Sequence, residues 1–300
     1  MRVSTSTLYD QGVRSMLQQQ EGMFKLQQHL STGKRIMTPS DDPIGAARAH
    51  ELSQSLSLNE QYKDNRHRAM DSLQQVDSTL GSISNVIQNV RTMAVAAGNP
   101  AFSDNERQMM ATELRGHFEH LLGLANTKDE QGNYLFSGFK GGTQPFEQAN
   151  GSVTYQGDQG QRLIQVSGSR LLPVSETGDA IFEPGGQSLF DTVNDFITAL
   201  ETPGGGAALS SAVSTALQDL DVALDNVLTK RAAAGSGLQE IDALQQIGED
   251  TAVQYQQSLS RLQDLDFAQA ISDMARQQAL LEASQKTFNR VSGLSLFNII

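Results

Sequence analysis

Two histidines are the first residues whose types and spacing could support chemistry. His117 and His120 are three residues apart, so on a helix they would share one face, with Glu119 between them. Such a pair could begin a metal site, but the sequence offers no identifiable third ligand and no H-E-x-x-H motif. Because Leu114 and Leu121 lie on the same predicted helix, we interpret both histidines as partly buried or surface side chains.

A pair of carboxylates and a glycine pair also have structural interpretations. Asp41 and Asp42 stand directly before Pro43, where acidic residues commonly begin a helix. Gly235-Ser236-Gly237 follows a predicted helix and lacks a third glycine, so it is not a nucleotide-binding fingerprint. The sequence has no G-x-x-x-x-G-K-[ST] loop and no G-x-S-x-G motif. We therefore expect no enzyme activity and no cofactor.

Composition narrows the classes of partner. The 300-residue chain has a net charge of −12, which disfavours nucleic acid as a partner because phosphate backbones bind cationic surfaces. It has no cysteine, which excludes disulfides and thiolate zinc sites. No segment approaches the roughly 20 apolar residues of a membrane span, and residues 1–10 lack the pattern of a cleavable signal peptide. We expect no membrane partner, and any export must use another signal.

Long heptad patterns predict the helices that would position these residues. From Pro43 to residue 97, apolar residues step alternately by four and three, which is the a/d pattern of coiled-coil packing. The pattern returns in the C-terminal third. The residues predicted to form this seam are Leu73, Val76, Leu80, Ile83, Ile87 and Val90 in the first half, and Leu217, Leu220 and Leu224 in the second.

Local signals predict where further helices begin and end. Ser103 and Glu106 have capping-box spacing, and the helix that follows is predicted to place His117 in its apolar seam. In the C-terminal third, Gly235–Gly237 is predicted to interrupt the heptads. Asp266 is predicted to cap the last helix.

Residues 131–187 differ from the rest of the chain because glycine is dense and the apolar runs are short. Residues 134–136, 153–155 and 163–166 are predicted strands. Gly157–Gly160 is predicted to be the turn of a hairpin that joins the last two. We predict a small β-rich insertion between helices.

Together these elements predict a mainly α fold. We expect a long antiparallel coiled-coil-like helical bundle, a rod, with a small β-rich insertion domain and helical termini. The predicted parts are the terminal helices at 1–42 and 266–300, a helical rod domain at 43–130 and 188–265, and the insertion at 131–187.

The terminal helices are predicted to need partners. Ordering a long helix costs backbone entropy, and each end has few apolar side chains whose burial could offset that cost. We expect both ends to be disordered in the monomer and ordered when packed against neighbouring subunits. The residues predicted to carry this assembly are Met16, Met23, Leu26 and Leu30 at one end, and Ile271, Met274, Leu281, Phe288 and Leu296 at the other.

Several motifs resemble the flagellin superfamily. Leu30–Ile36, followed by Thr38–Pro43, is similar to that superfamily's N-terminal signature, and the Thr38–Pro43 version is typical of members at the hook–filament junction. Residues 132–138, 264–268 and 292–297 resemble further stretches of the same superfamily. The resemblance covers both ends of the chain, while the β insertion agrees by position alone.

The resemblance implies a structural subunit of the bacterial flagellum that joins the hook's distal proteins to the flagellin filament. It implies type III export without a cleaved signal peptide, and therefore an extracellular location. The implied partners are other copies of the chain, the adjacent hook-associated protein on the hook side, flagellin on the filament side and a cytoplasmic export chaperone. The residues implied to bind the chaperone are Ile271, Met274, Leu281 and Phe288.

Alternatives stay open at this point. A short flagellin that forms the filament itself would share these motifs, although flagellins seldom keep Thr38-Pro39-Ser40 before the Asp pair. An enzyme carried on a flagellin would need a metal or nucleophile motif in residues 131–187, and a virulence-type secretion tip protein lacks the terminal motifs. Residues 89–95 are similar to a flagellin stretch recognised by an innate immune receptor. Thr92 replaces the usual acidic residue there, so we interpret the stretch as an intersubunit surface.

Overall fold

The computed structural model describes residues 5–149, 151–204 and 206–293, and long helices account for most of them. A mainly α fold with a small β region between helices is therefore confirmed. The elements in chain order are α1 (Thr5–Thr32), α2 (Pro43–Ala97), α3 (Asp104–Ala125), β1 (Phe146–Ala149), β2 (Ser152–Tyr155), β3 (Leu163–Ser167), β4 (Arg170–Pro173), α4 (Gly178–Phe182), α5 (Leu189–Glu201), α6 (Gly206–Gln263) and α7 (Phe267–Gly293), with a 3-10 turn at Pro184–Gly186.

The chain divides into two compact units. The terminal unit comprises Met1–Leu58 and Asp250–Ile300, and the central unit comprises Asn59–Glu249. Both α2 and α6 contribute residues to each unit. The three-part division predicted from the sequence places its boundaries elsewhere, near the helix breaks at residues 42 and 266. That division stays a prediction.

Capping side chains fix where two helices begin. Asp42 Oδ1 accepts a hydrogen bond from the Gly45 N–H at 2.9 Å, and Pro43 takes the first helical position, so α2 begins as predicted. Ser103 and Glu106 form the predicted capping box at the start of α3. Short polar signals in the sequence therefore located both helix starts.

In the central unit, α2 and α6 run antiparallel along each other. Asn59 Nδ2 donates a hydrogen bond to the Gly248 carbonyl at 2.7 Å. Arg231 Nε donates to Asp77 Oδ1 at 3.1 Å. Residue numbers therefore rise along α2 while those of the α6 partners fall.

Aromatic side chains hold the β1–β2 sheet on the helices of the central unit. Phe146, at the start of β1, is buried, and its ring centroid lies 5.0 Å from that of Phe182 and 5.1 Å from that of Phe190. Phe118 of α3 packs edge-on against Phe190 at 5.9 Å. This cluster joins α3, α4, α5 and β1 in one apolar core.

The predicted break at Gly235-Ser236-Gly237 is wrong, because α6 is continuous over 58 residues. A Cβ atom at Gly237 would lie 3.0 Å from Leu73 Cδ1. The glycine therefore allows α6 to approach α2 closely, and packing between the helices outweighs its low helix propensity.

The predicted hairpin between residues 153–155 and 163–166 is also wrong. β1 pairs with β2 and β3 pairs with β4, both antiparallel, in two separate two-stranded sheets. Each observed pair is joined by only two residues, at 150–151 and at Gly168-Ser169. A two-residue turn closes a hairpin at lower entropic cost than the longer segment between β2 and β3.

Two apolar or glycine-rich segments near the strands have other roles. Gly157–Gly160 is a loop around Asp158, whose Oδ1 accepts N–H bonds from Phe139 at 2.8 Å and from Gly160 at 2.9 Å. Residues 134–136 form no strand, so that prediction is wrong. Leu135 and Phe136 are buried in the core, which explains the apolar run without strand pairing.

Two helical details also differ from the predictions. The buried face of α3 includes Phe118, and His117 beside it is only half-buried, so the apolar seam is displaced by one residue. A terminal helical segment is predicted over residues 1–42, but α1 ends at Thr32. Gly33 follows with φ of 68°, a conformation that commonly ends a helix.

Candidate assembly surfaces

In the terminal unit, α1 and α7 are far apart in the chain but pack against each other antiparallel. We call this pair of helices the α1–α7 hairpin, because it resembles the two helices of a helical hairpin. The Tyr9 and Phe288 rings contact each other with centroids 4.8 Å apart. A Cβ atom at Gly12 would lie 2.8 Å from Phe288 Cδ2, and one at Gly22 would lie 2.7 Å from Gln277 Nε2. The two glycines therefore permit close approach of the helices.

The predicted assembly residues divide between the inner seam of this hairpin and its outer surface. Ile271 is 60% exposed, and Leu296 lies outside the described residues. A single pair of helices encloses its seam only partly, so the inner residues keep accessible surface. Their contacts with other subunits stay a prediction. The half-buried members of the set are Met16, Met23, Leu26, Leu30, Met274, Leu281 and Phe288.

Large apolar side chains also occupy the outer surface of the hairpin. Leu17 and Phe24 lie one heptad apart on α1 and are 58% and 66% exposed. Ile271 and Leu280 of α7 are exposed as well. The sequence predictions missed Leu17 and Phe24, although their seven-residue spacing could have revealed them. A second apolar stripe is typical of a helix that contacts more than one neighbour.

A short β-bridge joins the two helix breaks of the terminal unit. Lys34 pairs with Asp264 in antiparallel fashion, and the Arg35 N–H donates to the Gln263 carbonyl at 2.6 Å. The bridge connects the segment between α1 and α2 to the segment between α6 and α7. No sequence pattern marks this contact, because its partners are far apart in the chain.

The predicted heptad seam lies inside the central unit. Leu217 and Leu224 are half-buried at its edge, and the α6 residues Ala223 and Val227, which face the same core, are buried. Because the buried members of the seam are enclosed in this core, they are not available for contacts with another molecule. The fully buried members of the predicted seam are Leu73, Val76, Leu80, Ile83, Ile87, Val90 and Leu220.

The residues that the sequence singled out as possible chemical groups are the Asp41 carboxylate and the histidines His117 and His120. The Asp41 carboxylate accepts N–H bonds from Thr38 at 2.9 Å and Met37 at 3.1 Å, and these bonds lower the pKa of Asp41. His117 is half-buried and His120 is exposed. Within the described residues, no group of three or more His, Cys, Asp or Glu could hold a metal ion. No described helix is both long and apolar enough for a membrane span.

Formal charge is divided unequally between the two units. The central unit has 12 Lys and Arg against 24 Asp and Glu, whereas the terminal unit has 10 of each. The whole net charge of −12 therefore belongs to the central unit. Surfaces without net charge can pack together without net repulsion, whereas surfaces of like net charge repel each other.

Comparison with known proteins identifies the family. A family model described as "Bacterial flagellin N-terminal helical region" matches residues 3–140. Flagellar hook-associated protein 3 of Salmonella typhimurium is 36% identical over 317 aligned residues, which cover 100% of this chain and 99% of that protein. This chain belongs to the flagellar hook-associated protein 3 family.

Flagellins are more distant from this member of the hook-associated protein 3 family. A flagellin from Listeria innocua is 25% identical, over 95% of this chain and 93% of that protein. Among solved structures, the flagellar junction protein FlgL from Legionella pneumophila superposes with a TM-score of 0.62 at 20% identity. The superposition covers 74% of this chain and 100% of that one, and it concerns the fold alone.

Proposed function

We propose that this protein is a structural subunit of the bacterial flagellum at the junction between the hook-associated proteins and the flagellin filament. The observation that carries the proposal is the full-length identity to flagellar hook-associated protein 3. The exposed apolar stripe of α1 supports an assembly role, because such stripes are usually covered by a partner. The proposed role is mechanical, without a catalytic step.

In this proposal, the α1–α7 hairpins of neighbouring copies pack side by side. Leu17 and Phe24 of one copy contact the next copy, and the formal neutrality of the terminal unit allows dense packing. The terminal helices become fully ordered only in the assembly. The other partners are the adjacent hook-associated protein on one side and flagellin on the other, outside the cell after type III export without a cleaved signal peptide.

We also propose that a cytoplasmic export chaperone holds α7 before assembly. Met274, Leu281 and Phe288 are half-buried in the hairpin, whereas Ile271 is open. A chaperone that binds all four side chains must therefore displace α1. The terminal helices would then be kept apart until export.

Deleting the gene tests the proposed function. The deletion strain should make completed hooks and release flagellin monomers into the medium, because no junction is present to start the filament. The same gene supplied on a plasmid should restore filaments. Filaments of normal length in the deletion strain would refute the proposal.

A short flagellin is the second candidate, favoured by the flagellin-type N-terminal match. Seeded polymerisation separates the two. Purified protein is added to filament fragments, and growth is followed by electron microscopy. A junction subunit should add only a short segment, whereas growth without limit would favour the flagellin.

A further inference from the structure

A polar cleft of about 1060 Å³ lies open on the central unit, between α2, the loop that follows α3 and strand β3. This volume is at the top of the range usual for ligand pockets, about 300–1,000 Å³, so the cleft can hold an extended ligand. Nine of its thirteen lining residues are polar or charged, and four are apolar. None of them belongs to the assembly surfaces described above, so the proposed function leaves the cleft without a role.

Two of the apolar lining residues are open to solvent. Phe139 is 68% exposed and Leu163 is 56% exposed, and neither belongs to an apolar core of the central unit. The other two, Ile164 and Val174, pack in the small core around Leu73. The fold itself therefore leaves Phe139 and Leu163 uncovered, and they are candidate contacts for another molecule.

The Phe139 ring is held in place as a flat platform. The Phe139 N–H donates to Asp158 Oδ1 at 2.8 Å, which fixes the backbone beside the ring. A Cβ atom at Gly160 would overlap three neighbouring ring atoms, Cγ, Cδ2 and Cε2, so one face of the ring rests on the Gly160 backbone. The exposure of the side chain leaves the other face open. A supported ring with one open face can stack against a ligand without losing much side-chain entropy.

Polar groups with fixed positions line the same cleft. Gln75 Nε2 donates to the Lys128 carbonyl at 3.0 Å, which holds the side-chain amide. Asp129 Oδ1 accepts the Asn133 N–H at 2.8 Å, and Asp129 Oδ2 lies 3.8 Å from Arg162 Nη1. No described group accepts a hydrogen bond from Arg162 Nε. The partly exposed guanidinium therefore has donors to spare for a ligand.

Charge and composition narrow the class of ligand. The lining has three carboxylates against two guanidiniums, and the central unit carries the whole net charge of −12, so an anionic ligand is disfavoured. A cationic ligand is disfavoured because cations bind over aromatic faces, and the single aromatic lining residue shares the cleft with two arginines. A protein partner is disfavoured because interface cores are depleted in charged residues, and five of the thirteen lining residues are charged.

We propose that this cleft binds a neutral oligosaccharide. A sugar ring has a face of C–H groups, whose partial positive charge suits the negative face of an aromatic ring. Its hydroxyls both donate and accept hydrogen bonds, which matches the amide, carboxylate and guanidinium groups of the cleft. Phe139 stacks against one sugar ring, and Gln75 and Arg162 bond to hydroxyls. The inference is independent of the junction assignment.

Saturation-transfer NMR with the purified full-length chain tests the inference. The probes are the neutral hexasaccharides maltohexaose, cellohexaose, mannohexaose, xylohexaose and chitohexaose, with an anionic hyaluronan hexasaccharide and a cationic chitosan hexasaccharide for comparison. Transfer to at least one neutral probe is expected, and the charged probes should receive less. No transfer to any neutral probe, or transfer to a charged probe at least as strong, would overturn the inference.

Substitutions of Phe139 test the stacking contact. Phe139→Ala should weaken binding of the best neutral probe about tenfold, because the open ring face is lost. Phe139→Tyr keeps the ring and should keep the affinity. Leu171→Ala is the matched control, because Leu171 is exposed on β4 outside the cleft lining, and it should leave the affinity unchanged. Equal affinities for Phe139→Ala and Leu171→Ala would contradict the assigned role of the ring.

Gly160→Ala tests the support beneath the ring. The new Cβ atom displaces the Phe139 ring, so binding should weaken although the ring is kept. Gly142→Ala is the control, because nothing lies within 4 Å of its added Cβ, and it should bind normally. Circular dichroism verifies that both variants fold. Normal binding by Gly160→Ala would contradict the platform geometry.

A second copy of the chain is the alternative occupant of the cleft. Sedimentation velocity of the unchanged chain and of Phe139→Ala separates the two occupants. The inference predicts the same sedimentation for both proteins, because Phe139 contacts a saccharide and no other copy. Self-association that Phe139→Ala abolishes would assign the cleft to a second copy and overturn the inference.

Discussion

At the scale of single residues, Arg66 is a buried charge that joins three elements of the central unit. It is 3% exposed, and burial lowers its pKa. Its Nε donates to Gln245 Oε1 of α6 at 2.9 Å, and its Nη1 donates to the Val166 carbonyl of β3 at 3.1 Å. Gly248 leaves the space that the guanidinium needs. The side chain of Arg66, 182 positions away in the chain, therefore explains why a glycine occurs at position 248 in the middle of α6.

Gly248→Ala should destabilise the central unit. The new Cβ atom would overlap Arg66 Nη2 and break the hydrogen bonds of a buried charge, so the free energy of unfolding should fall by about 1–3 kcal/mol. Gly235→Ala in the same helix is the control. Nothing lies within 4 Å of its added Cβ, so it should gain about 0.5–1 kcal/mol from helix propensity. Urea unfolding of both variants measures the difference, and equal effects would contradict the assigned role of Gly248.

Glu183 should make the stability of the central unit depend on pH. Burial, together with the charges of Asp179 and Asp191, raises its pKa above the ordinary value of 4.5. The folded state therefore disfavours the ionised form of Glu183, so ionisation lowers the stability of the central unit. This destabilisation is complete at pH values above the raised pKa and absent at pH values below 4.5. Glu183→Gln should raise the melting temperature at neutral pH and leave it unchanged in acid below both pKa values. A variant that is less stable at neutral pH would contradict the assignment.

At the scale of elements, the outer stripe of α1 is the surface assigned to neighbouring copies. Phe24→Ser should leave the helical content of the monomer unchanged, because the Phe24 side chain is 66% exposed. It should abolish filament formation in cells, because the contact between copies loses its largest apolar side chain. Gln18→Ser, exposed on the same helix, is the control and should support normal filaments. Normal filaments with Phe24→Ser would contradict the proposed packing.

The chaperone proposal predicts competition between α1 and the chaperone for α7. Deleting residues 1–32 should tighten chaperone binding, because Met274, Leu281 and Phe288 are then free of α1. Isothermal titration of the full chain and the shortened chain measures this. Ile271→Ser in the shortened chain should weaken binding. The chaperone site would have to be sought elsewhere if the deletion left the affinity unchanged.

Helices could be predicted from the sequence much better than the packing between elements. Asp42 and Ser103 located helix starts because their capping bonds are local. Gly237 was misassigned as a break because its reason, the approach of Leu73, is a contact between distant residues. The strand pairing was misassigned because the predicted turn at 157–160 is instead organised by Asp158 and Phe139, 19 positions apart.

For the candidate site, the sequence predicted one side of each terminal helix. Met16 and Met23 follow the heptad that faces α7, and that heptad was visible in the sequence. Leu17 and Phe24 form a second apolar stripe beside it. Only the structure separates the two stripes, because the first is half-buried and Leu17 and Phe24 are exposed. The β-bridge of Lys34 and Asp264 had no signal in the sequence at all.

At the scale of the whole molecule, the charge of the central unit should control assembly. Neighbouring central units each carry −12, so their repulsion should weaken as salt screens it. Binding to isolated hooks that carry the hook-side protein, without flagellin, should strengthen as ionic strength rises from about 0.01 M to about 0.15 M, where the Debye length falls from about 30 Å to about 8 Å. Co-sedimentation measures this binding. Neutralising the exposed Asp195 and Asp242 should reduce the salt dependence of this binding. Tighter binding at low ionic strength than at high ionic strength would contradict the account.

The position of the protein in the flagellum is the most direct test of the junction assignment. Gold-labelled antibody against this chain, viewed by electron microscopy on intact flagella, should mark one narrow band between the hook and the filament. Labelling along the whole filament, or no labelling of the flagellum, would contradict it.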